Sequence, residues 1–162
     1  MKKILVILVM VLASGCASNN NSSDSGQLLK AKVVSKSGYK GLKGTVRVFE
    51  ENGKAYLTGE FTGLKPNSTH GFHIHENGDC SSKDAKSAGG HFNPMSDHKH
   101  GSYKMPKSHA GDLGNIKSNS LGEASVKRSL GNLNTEMGNK MSVIDKAVVV
   151  HDHADDLKSQ PS

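Results

Sequence analysis

Nine histidines fall between His70 and His153 in a chain of 162 residues. That density points to metal before any other chemistry. His73 and His75 stand two apart in Gly71-Phe72-His73-Ile74-His75. In an extended strand they share one face, while Phe72 and Ile74 take the other. Such a pair can bind one metal, although two histidines so spaced also occur simply as solvated side chains. Further donors follow: His91, His100 and His109, then Asp112 three residues later, and His151 at the end of Val148-Val149-Val150. Three imidazoles and a carboxylate make a closed tetrahedral site of the structural zinc kind. Three or four imidazoles with an open position suit copper, which favours nitrogen donors in tetragonal geometry. The donors therefore suffice for two sites, one structural and one redox-active.

These side chains need strands to position them. Thr69 to His75 alternates between apolar and polar residues with period two. Thr45 to Glu50 and Ala55 to Phe61 read as strands joined by an Asn52-Gly53 hairpin turn. Lys30 to Ser35 is the expected first strand, Leu113 to Lys117 and Glu123 to Ser129 are two more, and Lys146 to His151 is the last. From Glu76 to about Gly111 the pattern dissolves into Gly and Pro punctuation. A structureless stretch of that length in a compact domain is usually functional. Asn132 to Lys140 forms a second polar loop. No segment keeps a helical period and no internal repeat is visible. The expected fold is all-β, an antiparallel sandwich or flattened barrel with a long metal-binding loop.

Composition agrees with that class. Aromatics make up 4% of the chain, Trp is absent and there are 18 glycines, which suits short strands and many turns. The length allows one domain. The formal net charge of +6 comes from scattered lysines with few aromatics beside them, so nucleic acid is not an expected partner. A basic surface does attract small anions.

Lys2-Lys3 precedes an apolar run from Ile4 to Ala13, too short to span a bilayer and fitted to a signal peptide over residues 1–15. The run closes in Leu12-Ala13-Ser14-Gly15-Cys16, which resembles the lipobox of bacterial lipoproteins, with Ala13 where Leu is more usual. The resemblance implies acylation of Cys16, cleavage before it, and a lipid anchor in the cell envelope. Residues 16–28, rich in Asn and Ser, read as a flexible tether. Export places the domain, residues 29–162, in an oxidising compartment.

Four segments resemble one family in order. Gly71-Phe72-His73-Ile74-His75-Glu76-Asn77-Gly78-Asp79-Cys80 is similar to the first signature of the copper/zinc superoxide dismutases. Ala88-Gly89-Gly90-His91-Phe92-Asn93-Pro94, His109-Ala110-Gly111-Asp112-Leu113-Gly114-Asn115, and Val148-Val149-Val150-His151 with Asp155-Asp156 follow it. The resemblance implies a Greek-key, immunoglobulin-like sandwich, an architecture of which this enzyme family is itself a well-known example. It implies copper at His73, His75, His91 and His151, and zinc at His91, His100, His109 and Asp112. His91 is thereby expected to bridge the metals as an imidazolate and to donate a proton, while Asp155 orients His73 and His100. Gly89-Gly90 lets the backbone pass beside the bridging residue. His70, His98 and His153 match no ligand and are read as solvated. The implied activity is dismutation of superoxide to dioxygen and hydrogen peroxide, protecting the cell envelope.

The sequence departs from the family at its end. Members of the family continue beyond the position of Ser162 with a final strand, an arginine beside the copper, and the cysteine that pairs with the one at Cys80. The resemblance therefore leads one to expect no active-site arginine among these residues, since Arg47 and Arg128 lie in strand patterns away from the loop. For the disulfide that the resemblance implies at Cys80, the usual partner cysteine is expected beyond these residues, the other cysteine being Cys16. One barrel edge is expected to stand open. Two readings follow: a truncated form of a normal enzyme, or a copper- and zinc-binding envelope lipoprotein with little dismutase activity. A purely structural sandwich would have no use for seven ligands in register. Oligomeric state is not readable.

Overall fold

The computed structural model describes residues 5–7, 10–11, 27–32, 34–35 and 41–159. Cys16 and nearly all of the expected tether lie outside the described residues. Among the described residues ten strands form two five-stranded antiparallel sheets: β1 Leu5–Ile7, β2 Met10–Val11, β3 Gln27–Lys32, β4 Val34–Ser35, β5 Lys43–Glu51, β6 Lys54–Thr62, β7 Thr69–His75, β8 Asp112–Lys117, β9 Ala124–Ser129 and β10 Ala147–His151. One sheet runs β4-β1-β10-β7-β8 and the other β2-β3-β5-β6-β9. The chain crosses between sheets from β6 to β7, returns from β8 to β9, and crosses again to β10, as a Greek-key sandwich does.

Alternation explains the packing. Val46 and Val48 of β5 and Leu57 and Phe61 of β6 turn inward against Phe72, Ile74, Val148 and Val150 of the opposite sheet. Phe61 meets Phe72 edge to face at 5.8 Å, the arrangement aromatic quadrupoles prefer. The β5–β6 hairpin turns at Asn52 and Gly53, both at positive φ (52° and 69°), which a type I′ turn requires.

Two expectations change. The stretch from Lys30 to Ser35 is not one strand: β3 begins at Gln27 and pairs with β5, whereas β4 belongs to the other sheet. In the uncleaved chain the edge of β10 is not open either. Leu5 of β1 lies opposite His151, and Val6 opposite Val150. An unpaired row of backbone donors and acceptors accepts any extended apolar segment, here part of the run read as a leader.

Candidate metal centre

Strand β7 is buried along almost its whole length although it alternates in sequence. Phe72 and Ile74 enter the core between the sheets, while His73 and His75 face a long loop folded back over the outside of the same sheet. Pairing fixes the rest. His73 sits opposite Val149 and His75 opposite Ala147 on β10, so His151, two residues beyond Val149, shares their face. On the other flank His73 faces Asp112, the first residue of β8.

The loop is pinned by backbone bonds. Phe92 N donates to Ile74 O, Gly111 N to Phe92 O, and Ile74 N to Gly111 O, at 2.8–2.9 Å. Gly111 is obligatory, since a Cβ there would lie 2.3 Å from the carbonyl oxygen of Ile74. Ala85 and Ala88 cover Ala147 and Val149, with Cys80 packed beside them.

This threading assembles two groups that share one residue. His73, His75, His91 and His151 form the first, and His91, His100, His109 and Asp112 the second. Within each, the possible ligand atoms lie within 4.8 Å of one another. His73 and His91 stack with ring centroids 3.9 Å apart. Asp112 organises the second group: Oδ1 stands 2.8 Å from His91 Nδ1, 3.0 Å from His100 Nδ1 and 3.8 Å from His109 Nδ1. Its Oδ2 accepts from the backbone N–H groups of Gly101 and His109. Asp155 joins the two groups, accepting from His73 Nε2 at 2.7 Å and from His100 Nε2 at 2.8 Å.

The unsatisfied atoms report what fits here. Because His73 donates its Nε2–H to Asp155, its buried Nδ1 is left without a hydrogen-bond partner among the described residues, and so is His109 Nδ1. His75 donates from Nδ1 to Gly89 O at 2.9 Å, so its Nε2 lone pair points at His151 Nε2, 3.4 Å away. Buried lone pairs that face each other or face nothing are costly. A cation in each group would satisfy them, and the donor sets suit copper in the four-imidazole group and zinc in the His3Asp group.

The electrostatics agree. Burial, partly offset by Asp155, pushes His73 down to about 4. Burial, partly offset by the Gly89 carbonyl, pushes His75 down to about 3. Burial and the neighbouring imidazoles hold His151 well below the ordinary value, and burial lowers His109 despite Asp112. These rings are neutral at neutral pH, the form that ligates. Burial disfavours charge on His100 too, but the bond to Asp155 and the charges of Asp112 and Asp155 outweigh it and raise its pKa. Burial likewise opposes ionisation of Asp112 and Asp155, yet bonds from His91 to the first and His73 to the second keep both below the usual carboxylate range.

All seven expected ligands and Asp155 come together. Of the three histidines read as solvated, only His153 is exposed, beside Asp152. His70 is 1% exposed, and its Nδ1 lies 2.8 Å from the carbonyl oxygen of His151. Its even parity with Phe72 and Ile74 places it on the core face. His98 is half-buried, with Nδ1 2.9 Å from Ser108 O. Arg128 is not remote from the loop, for its guanidinium lies 5.4 Å from the ring centre of Tyr103. Asn115 is a further supporting residue, exchanging two hydrogen bonds with the backbone of Asp155.

The family model for copper/zinc superoxide dismutase (SODC) matches residues 42–162. A superoxide dismutase [Cu-Zn] of Paramecium bursaria Chlorella virus 1 is 37% identical over 154 residues, covering 95% of this chain and 78% of that protein. Superoxide dismutase [Cu-Zn] 1 of Aquifex aeolicus (strain VF5) is 36% identical over 135 residues, covering 82% and 78%. Among solved structures, a mutant of a SOD-like protein from Bacillus subtilis superposes with a TM-score of 0.66 at 32% identity, covering 74% of this chain and 80% of that one. The clock protein EA4 also gives 0.66, at 26% identity, covering 97% and 80%. With two donor groups sharing one histidine on a Greek-key sandwich, and with these matches, the chain belongs to the copper/zinc superoxide dismutases, a family of oxidoreductases whose cofactors are copper and zinc.

Proposed function

We propose that this chain dismutates superoxide, two superoxide anions and two protons giving dioxygen and hydrogen peroxide, at the cell envelope. Copper would be held by His73, His75, His91 and His151, and zinc by His91, His100, His109 and Asp112. The observation that carries the reading is His91, the one side chain common to both groups. Bound copper supplies a one-electron couple that accepts an electron from one superoxide and returns it to another, while zinc supplies fixed positive charge.

The protein's part is orientation and proton supply. His91 Nδ1 is committed to the Asp112 side, so proton delivery to the reduced oxygen species falls to its Nε2. Asp155 fixes the His73 and His100 rings, and Gly89 fixes His75. His151 is the partly exposed member of the copper group and marks the side from which a small anion arrives. The net charge favours that arrival, +6 over the whole chain and +4 once Lys2 and Lys3 leave with residues 1–15.

A second reading, metal binding with little dismutation, has one observation in its favour. Arg128 is bonded to carbonyls of β8 and Arg47 lies on β5 of the sheet opposite β7 and β10, so neither stands beside the four-imidazole group. The test is the protein loaded with copper and zinc, assayed for superoxide decay beside His75→Ala. Decay that depends on His75 supports the enzyme. Stoichiometric metal without decay supports the second reading, and absence of stoichiometric copper overturns the copper assignment.

The envelope assignment rests on Cys16 within its lipobox-like sequence. Cys16→Ser is expected to abolish palmitate labelling and release the protein from membranes. A labelled mutant, or a parent protein that never sediments with membranes, refutes it.

A further inference from the structure

The second donor group takes His100 and His109 from the loop and Asp112 from the start of β8. Its shape therefore depends on how residues 100–109 are held against that strand, and two side chains outside the group do the holding. Arg128 projects from β9 in the opposite sheet. Its Nε donates to Leu113 O at 2.9 Å and its Nη2 to Asn115 O at 2.9 Å. Among the described residues β8 is the last strand of its sheet, so its outer carbonyls meet no strand there, and a planar guanidinium fork spans two of them. Nη1 bonds back to Lys127 O at 3.1 Å, which fixes the fork to its own strand.

Tyr103, between His100 and His109, completes the arrangement. Its side chain packs over Gly114, where an added Cβ would stand 3.4 Å from Tyr103 Cβ. Its hydroxyl donates to Ser129 O at 2.8 Å, and the Arg128 guanidinium lies 5.4 Å from the ring centre. A closed circuit results: the loop is tied to the residue after Arg128, and Arg128 is tied to the residue after Asp112.

We propose that Tyr103 and Arg128 are positioning residues, a clamp that sets how tightly His91, His100, His109 and Asp112 hold a tetrahedral dication. The proposal rests on the zinc assignment made above. It assigns the anchoring of the metal loop to an inter-sheet cation and an aromatic ring, neither of which belongs to the donor group.

The experiment titrates the whole chain with Co²⁺, whose four-coordinate absorption bands report this group, and measures Zn²⁺ affinity by chelator competition. Arg128→Gln and Tyr103→Phe are expected to weaken Zn²⁺ binding about 10- to 100-fold and to alter the cobalt bands. Arg128→Lys should restore only part, because an ammonium cannot span both carbonyls. Val126→Ala, in the core on the same strand, is the control for stability lost without the clamp, and should leave the affinity close to the parent's. If Arg128→Gln and Tyr103→Phe bind Zn²⁺ as tightly as the parent, or Val126→Ala weakens it as much, the clamp is wrong while the metal assignment stands. A parent chain giving no four-coordinate cobalt spectrum overturns the metal assignment, and the clamp with it.

Discussion

Asp155→Asn changes one atom in the carboxylate that joins the two donor groups. Asp155 accepts from His73 Nε2 at 2.7 Å and His100 Nε2 at 2.8 Å. The side chains are 3%, 1% and 9% exposed for His73, His100 and Asp155, so solvent and salt screen these contacts little. Hydrogen bonds to an ionised partner are worth about 1.5–3 kcal/mol each. Asparagine presents one oxygen where aspartate presents two, so one imidazole keeps its acceptor and the other meets an NH2 group. That ring can relieve the donor–donor clash only by moving its proton from Nε2 to Nδ1. In both His73 and His100 it is Nδ1 that faces the donor group, so the relieved ring no longer ligates. Loss of one such contact corresponds to about a 10- to 100-fold fall in affinity for at least one metal. Asp155→Ala should weaken both. Chelator competition for Zn²⁺ and Cu²⁺, with the copper EPR spectrum as a check on geometry, measures the effect. If Asp155→Asn leaves both affinities and the spectrum as in the parent, Asp155 does not set the tautomers and the reasoning fails.

His91→Ala should disturb occupancy of both metals and His109→Ala mainly zinc, as elemental analysis of reconstituted protein would show; equal loss of both metals in the two variants would refute the shared role of His91. The metal-free chain should lose stability as pH falls from about 6.5 towards 3. His73 titrates near 4 and His75 near 3 in the fold against 6.5 when unfolded, so over that interval the unfolded chain binds more protons. Each such ring contributes up to about 1.4 kcal/mol per pH unit. His109 and His151 add to the slope, while His100, raised in the fold, opposes it. Urea unfolding at pH 7 and pH 5 measures the difference, and equal stabilities would refute the neutral, buried state of the cluster.

Local pattern makes much of this protein readable in advance. Period-two alternation in β5, β6 and β7, and short apolar segments bounded by turn residues elsewhere, locate β5 to β10 to within about two residues. The same rule places His73 and His75 together; His70, read as solvated, shares the parity of Phe72 and proves buried. Donor chemistry names the ligand types, since imidazole and carboxylate are few and distinctive.

Contacts distant in sequence have another origin. That the His73–His75 face is buried, not solvated, depends on a loop folding back over it from Glu76 to Gly111, which no alternation within β7 encodes. Arg128 reads as an ordinary strand residue until the crossing from β8 to β9 brings it against the carbonyls of Leu113 and Asn115. The break between β3 and β4, and the pairing of Leu5–Ile7 with β10, follow from which sheet edges remain to be satisfied. Strands, donor residues and their order are thus local properties, written in residue type and spacing. The sharing of His91 by both groups, the link through Asp155 and the neutrality of the rings are not. They come from distance and burial, which arise when the two sheets close and the loop excludes water from one face.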